Sequence, residues 1–180
     1  MPRARNDTSI RQRTTKALCA FAALIMLTGM NTRLGGLEPR VLAAHNAERE
    51  SLGLAPMVWD RKLALSAAGY ARELAHNGQF RHSANVAGQP LEGENLWRGT
   101  AGAFTPEHMV ERWIAEKQHF RIGKFPFTTT TGDVGDVSHY TQIVWRQSRH
   151  VGCAIARADG KEVLVCRYSK PGNVIGQTVY

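Results

Sequence analysis

The chain has 180 residues, 43% of them hydrophobic and 21% charged, with a formal charge of +8 at neutral pH. That suits one globular domain, or one domain plus a leader, and excludes a disordered or fibrous chain. The charge is lopsided: Arg3, Arg5, Arg11, Arg13 and Lys16 against Asp7 place +4 in the first 30 residues and leave +4 for the rest. A remainder that small does not call for nucleic acid, and it favours anionic lipid or cell-wall polymer only weakly.

The first 30 residues read as an export signal or signal anchor. A basic stretch ends at Lys16, and a 14-residue apolar run, Ala17 to Met30, follows. A membrane span needs about 20 residues; the shorter run suits the core of a signal. No A-x-A triplet follows it, so no cleavage position is assigned. Cys19 stands at the start of the run rather than after it, which argues against lipid attachment there. The competing reading is a basic tail with a short buried helix. Residues 31–36 read as a linker and 37–180 as one domain. That domain is expected to be a secreted or periplasmic monomer that meets a membrane only through its N-terminal segment.

Glu38 to Ser51 reads as a helix with Val41, Leu42, Ala44 and Ala47 on its apolar side, stopping near Gly53. Asp60 suits an N-cap, and Leu63, Ala67, Tyr70, Ala71 and Leu74 then recur at helical spacing up to Asn77-Gly78. Residues 78–103 read as irregular and Gly-rich. A third helix starts at Thr105 as cap, with Pro106 and Glu107 in its first turn, and it buries Val110, Trp113, Ile114 and Phe120. Residues 121–138 read as a loop. Residues 139–145, 151–157 and 162–168 read as strands, mostly antiparallel. The whole is an α+β layered domain with a small antiparallel sheet.

Asp159-Gly160 between two apolar-rich runs is a two-residue hairpin signal. Closing the turn there pairs Ala158 with Lys161, Arg157 with Glu162, Ile155 with Leu164 and Cys153 with Cys166. Position 153/166 then falls at a non-hydrogen-bonded pair, where the Cα atoms approach to roughly 4.5 Å. A Cys153–Cys166 disulfide in an oxidising compartment is expected. Two buried free thiols are the alternative.

Four motifs in order, AHNAERESLGLAPMVWD (44–60), GENL (93–96), HYTQIVW (139–145) and RYSKPGNVIG (167–176), resemble the signatures of the CAP superfamily. That superfamily comprises the cysteine-rich secretory, antigen 5 and pathogenesis-related 1 proteins. The resemblance runs from about Val41 to Gln177. It implies a three-layer α-β-α sandwich and a central cavity lined by His82, Glu94, Glu116 and His139. Family members usually carry more cysteines; this chain keeps one candidate pair.

Neutral imidazole is a good ligand for zinc and similar divalent cations, which makes His82 and His139 the candidate metal ligands. Glu94 and Glu116 are then water-mediated ligands, acceptors that orient the imidazoles, or a general base. No local metal spacing supports this, so the cation rests on the resemblance. A hydrogen-bonded network tying loops to a helix is the alternative. His45 is expected to pack within the first helix, and His76, His108, His119 and His150 to be solvated. Ser83 and Ser138 adjoin the two candidate histidines. Neighbours on a strand point to opposite faces, which argues against a Ser-His pair.

Phe120, Phe125, Pro126 and Phe127 crowd the segment after the third helix, a region that in some relatives forms a loop associated with sterol binding. The resemblance thus implies a module that binds a sterol, fatty acid or other hydrophobic ligand through Phe120, Phe125 and Phe127. The alternatives are a metal-dependent, protease-like hydrolase using Glu94 and Glu116, or a secreted interaction protein.

Overall fold

The computed structural model describes residues 36–180; the expected signal and residues 31–35 lie outside them. From Leu37 the chain runs through α1 (Leu37–Ser51), β1 (Val58–Trp59), α2 (Arg61–Asn77), β2 (Gly93–Thr100) and α3 (Pro106–Ile114). Two 3-10 turns follow, Ala115–His119 and Val134–Val137. Then come α4 (Ser138–Ile143), β3 (His150–Ala158) and β4 (Lys161–Ser169). The sheet order is β1-β3-β4-β2, antiparallel except for the β1/β3 pair.

The β3–β4 hairpin has the register read from the sequence, with Ala158 opposite Lys161 and Cys153 opposite Cys166. Asp159 (φ 48°) and Gly160 (φ 70°) are both left-handed, which gives the turn the twist of its flanking strands. The Cys153–Cys166 disulfide is formed across a Cα separation of 4.1 Å. Arg157 Nε donates to Glu162 Oε2 at 2.9 Å.

Alternation along the strands separates two cores. Leu96, Val163 and Val165 face α2 and meet its Ala67, Ala71 and Leu74. Val151, Cys153, Leu164, Cys166 and Tyr168 face the opposite layer. There they join Val41 of α1, Met109, Val110 and Trp113 of α3, and Ile143 to Trp145 after α4. Each Val, Leu, Ile or Met among them contributes about 1.5–3 kcal/mol by leaving water. α2 begins where Asp60 Oδ1 accepts from the amides of Lys62 (2.7 Å) and Leu63 (3.1 Å) and ends at left-handed Gly78. Gly152 lets α2 approach β3: a Cβ there would stand 2.2 Å from the Ala64 nitrogen. α3 is capped by Thr105, whose Oγ1 accepts from His108 N at 3.3 Å.

Three sequence expectations are corrected. Residues 139–145 are not a strand: Ser138–Ile143 is helix α4. Tyr140 to Trp145 are all buried, so the apolar run lacks the one-sided pattern that separates helix from strand. Residues 93–100, read as irregular, form β2, because the pairing partner β4 overrides the weak propensity of GENLWRGT. In α1 the buried positions are Val41, His45 and Arg49, and Ala47 is exposed. Two polar residues occupy the core there: both ring nitrogens of His45 are hydrogen-bonded, and Arg49 donates through Nε and Nη1 to three backbone carbonyls, while its Nη2 is left without a partner.

Candidate functional site

The four predicted side chains form two histidine–carboxylate pairs. His82 lies on the loop after α2, and its Nδ1 is 2.6 Å from Glu94 Oε1, near the start of β2. Glu94 Oε1 also accepts from Ser83 N at 3.1 Å, and Arg167 Nη2 is 3.0 Å from Glu94 Oε2. The second pair joins His139, in the first turn of α4, to Glu116 of the turn after α3. Nδ1 and Oε1 are 2.6 Å apart. Glu116 Oε2 accepts from the amides of His139 (3.0 Å) and Tyr140 (3.1 Å). The His139 ring stacks on Trp113 with ring centroids 6.0 Å apart.

Exposure separates the pairs. The His82 side chain is 64% accessible over a Glu94 that is 7% accessible, whereas His139 and Glu116 are both mostly covered. Burial pushes the Glu94 carboxyl up, but the His82 hydrogen bond, the Arg167 charge and the Ser83 amide outweigh it and leave the group below the usual range. The hydrogen bond to Glu94 raises the His82 imidazole against its own partial burial.

Strand alternation puts Glu94 and its neighbour Asn95 on opposite faces of the edge strand β2. Glu94 shares the α2-facing side with Leu96 and Arg167. Asn95 points the other way and donates to the His139 carbonyl at 3.1 Å and to the Tyr168 hydroxyl at 3.2 Å. A cavity of about 380 Å³ opens beside His82, lined among others by Tyr70, Arg81, Glu92 and Arg167. Arg167 also covers the Tyr70 ring, its guanidinium carbon 5.2 Å from the centroid, as a cation lies over an aromatic face. Of the four predicted residues only His82 lines that cavity; Glu94, Glu116 and His139 do not.

For a metal, the pairs supply half of what is needed. Each Nδ1 faces a carboxylate, which fixes the ring and leaves Nε2 for a ligand. Among the described residues, however, no three His, Cys, Asp or Glu side chains gather closely enough to hold an ion. A closed zinc cage, which takes four ligands, is therefore not formed.

His45 was missed as a hub, though its packing was expected. Its Nδ1 donates to Val41 O at 2.8 Å, so Nε2 accepts from the Tyr168 hydroxyl at 2.8 Å. Tyr168 in turn accepts from Asn95, which holds α4. One polar chain thus ties α1, β4, β2 and α4 together. His76, His108 and His150 are exposed as expected, and His119 is half-buried. Ser138 is helical, so the strand argument against a Ser138–His139 pair does not apply; its hydroxyl reaches Gly135 O at 3.4 Å instead.

The aromatic loop divides. Phe120 packs its ring on Tyr140 and Tyr180, with centroids 5.2 and 5.6 Å away, and Phe125 is half-buried against the same core. Phe127 is 74% exposed. Ile122 (73%) and Ile175 (80%), which the sequence reading passed over, are equally open. The signal at Ile122 was a lone aliphatic residue among Arg121, Gly123 and Lys124; Ile175, next to Val174, carried none.

One helix on one face of a mixed sheet, and α1, α3 and α4 on the other, make the α-β-α sandwich of CAP domains. The chain belongs to the Cysteine-rich secretory protein (CAP) family, whose profile its residues 42–168 match. It is 40% identical over 165 residues to the pathogenesis-related protein 1B of Nicotiana tabacum, covering 91% of this chain and 92% of that one. It is 38% identical over 138 residues to a PR-1 type protein of Sambucus nigra, covering 76% and 78%. The crystal structure of NaASP2 with Zn2+ superposes with a TM-score of 0.64 at 22% identity, over 81% of this chain and 85% of that one.

Proposed function

We propose that the protein is an extracytoplasmic binding module whose loop between Phe120 and Phe127 takes up a hydrophobic ligand of the sterol or fatty-acid class. The supporting observation is the exposure of Phe127, beside Ile122, on a loop whose Phe120 and Phe125 are anchored in the core. Covering such side chains with ligand gains about 25 cal/mol per Å². Export is supported by the apolar run after Lys16, by the disulfide and by the family. Both oxygens of Glu116 are occupied in anchoring His139 and α4, which favours binding over hydrolysis. The test is saturable uptake of a sterol or fatty acid at micromolar concentration, lost in Phe127→Ser with an unchanged melting temperature. Absence of uptake by the unaltered protein rejects the reading.

A divalent cation at Nε2 of His82 and His139 is the accompanying proposal. Its support is the orientation of both rings by Glu94 and Glu116. NaASP2, which shares the fold, was crystallised with Zn2+. A zinc-dependent rise in melting temperature that disappears in His82→Ala, His139→Ala is expected. An equal rise in the double variant removes the site.

A further inference from the structure

Three segments remote in sequence meet at one end of the domain, and all are free of acidic side chains. No Asp or Glu occurs between Glu116 and Asp133, between Asp136 and Asp159, or after Glu162. Backbone bonds join the segments. Phe125 N donates to Gln177 O at 2.9 Å, Gly176 N to Phe125 O at 2.8 Å, Arg146 N to Val179 O at 2.8 Å and Arg149 N to Ser169 O at 3.0 Å. Arg121, Lys124, Arg146, Arg149 and Lys170 are exposed there, and none makes an ion pair among the described residues. The three open apolar side chains, Ile122, Phe127 and Ile175, rise from the same joined segments.

The geometry points to this end of the domain as a docking face for an anionic lipid bilayer. Apolar side chains would enter the headgroup boundary while the five cations meet the negative surface around them. Each half explains the other. The cations attract a surface at a distance, and the apolar tips prefer a medium that a soluble polyanion does not offer. Other bases of the domain do pair with acids, Lys117 with Glu48, Arg157 with Glu162 and Arg167 with Glu94, but they lie where acidic residues are available; what sets this end apart is that its joined segments carry none. The face includes the loop of the proposed hydrophobic-ligand site but does not require a soluble ligand.

The test is hydrogen exchange on the full chain with vesicles of neutral phosphatidylcholine alone or with one-third phosphatidylglycerol. The expected result is added protection at 121–127, 146–150 and 170–178 with the anionic vesicles only. Replacing Arg146 and Lys170 by Gln, outside the loop, should weaken vesicle partitioning roughly 25-fold, since each cation at such a surface contributes about fivefold. Uptake of soluble fatty acid should be unchanged in that variant, so the two readings fail separately. Protection confined to residues 1–36, equal protection with neutral vesicles, or protection by an anionic polysaccharide but not by vesicles would each overturn the docking face.

Discussion

Glu116 and Arg49 hold opposite ends of α4. Glu116 accepts the first amides of the helix, those of His139 and Tyr140. Arg49, buried in the core, donates through Nη1 to the carbonyls of Ile143 and Trp145, both at 2.9 Å. A helix of six residues is not stable by itself. An anion at its positive end and a cation at its negative end supply what length does not.

Removing either anchor should therefore loosen α4 before the sheet. Glu116→Gln keeps the volume but replaces one acceptor by a donor, at a cost of about 1–3 kcal/mol. Arg49→Lys loses the fork that reaches Ala55, Ile143 and Trp145 together and should cost about 2–4 kcal/mol. Urea unfolding gives both numbers. Faster amide exchange confined to 138–145 in Glu116→Gln identifies the anchor, and an unchanged rate there refutes it.

His45 makes stability fall in mild acid. Burial lowers its pKa from 6.5 to about 4, against the pull of the Val41 carbonyl. The folded state thus favours the neutral ring, and the unfolded chain binds the proton first. The contribution is complete above pH 6.5 and is lost as the pH falls from there to about 4; at full size it is about 3 kcal/mol. Urea unfolding from pH 4 to 7 should show that slope, and His45→Gln should flatten it. A slope of the same size in the variant assigns the effect elsewhere.

The hairpin was legible because turn chemistry, cross-strand charge and the two cysteines all agree on one register. Caps at Asp60 and Thr105 were legible because their chemistry is local. What failed was α4 and β2, whose states depend on partners distant in sequence: Glu116 and Arg49 for one, β4 for the other. The motifs prove to be largely joinery. Gln142 of HYTQ accepts from Gly172 N at 2.7 Å, and Thr141 Oγ1 donates to Asn173 at 2.6 Å, so one family motif locks into another. Residue types marked the histidines and glutamates as candidates, but only the folded contacts of His82 with Glu94 and of His139 with Glu116 show them as two pairs.

Two glycines can be ranked. At Gly152 a methyl group would meet backbone, the Ala64 nitrogen and the Asp60 carbonyl oxygen at 2.2 and 2.5 Å. At Gly93 it would chiefly meet the Gln142 side chain, 2.2 Å away, which can shift. Gly152→Ala should cost about 3 kcal/mol or more because α2 must move off β3, and Gly93→Ala about 1–3 kcal/mol. Thermal unfolding of the two variants gives the order; the reverse order would mean that α2 has room to retreat.

The His82–Glu94 pair has a bounded pH window. Glu94 is depressed in the fold, so its contribution is present above the ordinary 4.5 and is lost as the pH falls through the folded value. His82 is raised, so its contribution is present below 6.5 and is lost as the pH rises through the folded value. The difference in stability between the unaltered protein and His82→Ala should accordingly be largest between pH 4.5 and 6.5. It should stay under about 1 kcal/mol, because an imidazole this open is screened by water. Above that window Glu94 keeps its charge through Arg167 and the Ser83 amide, so Arg167→Gln should be costly at pH 8, where His82→Ala is nearly neutral. Equal costs for the two variants at pH 8 would mean that the imidazole, not the guanidinium, holds the carboxylate in place.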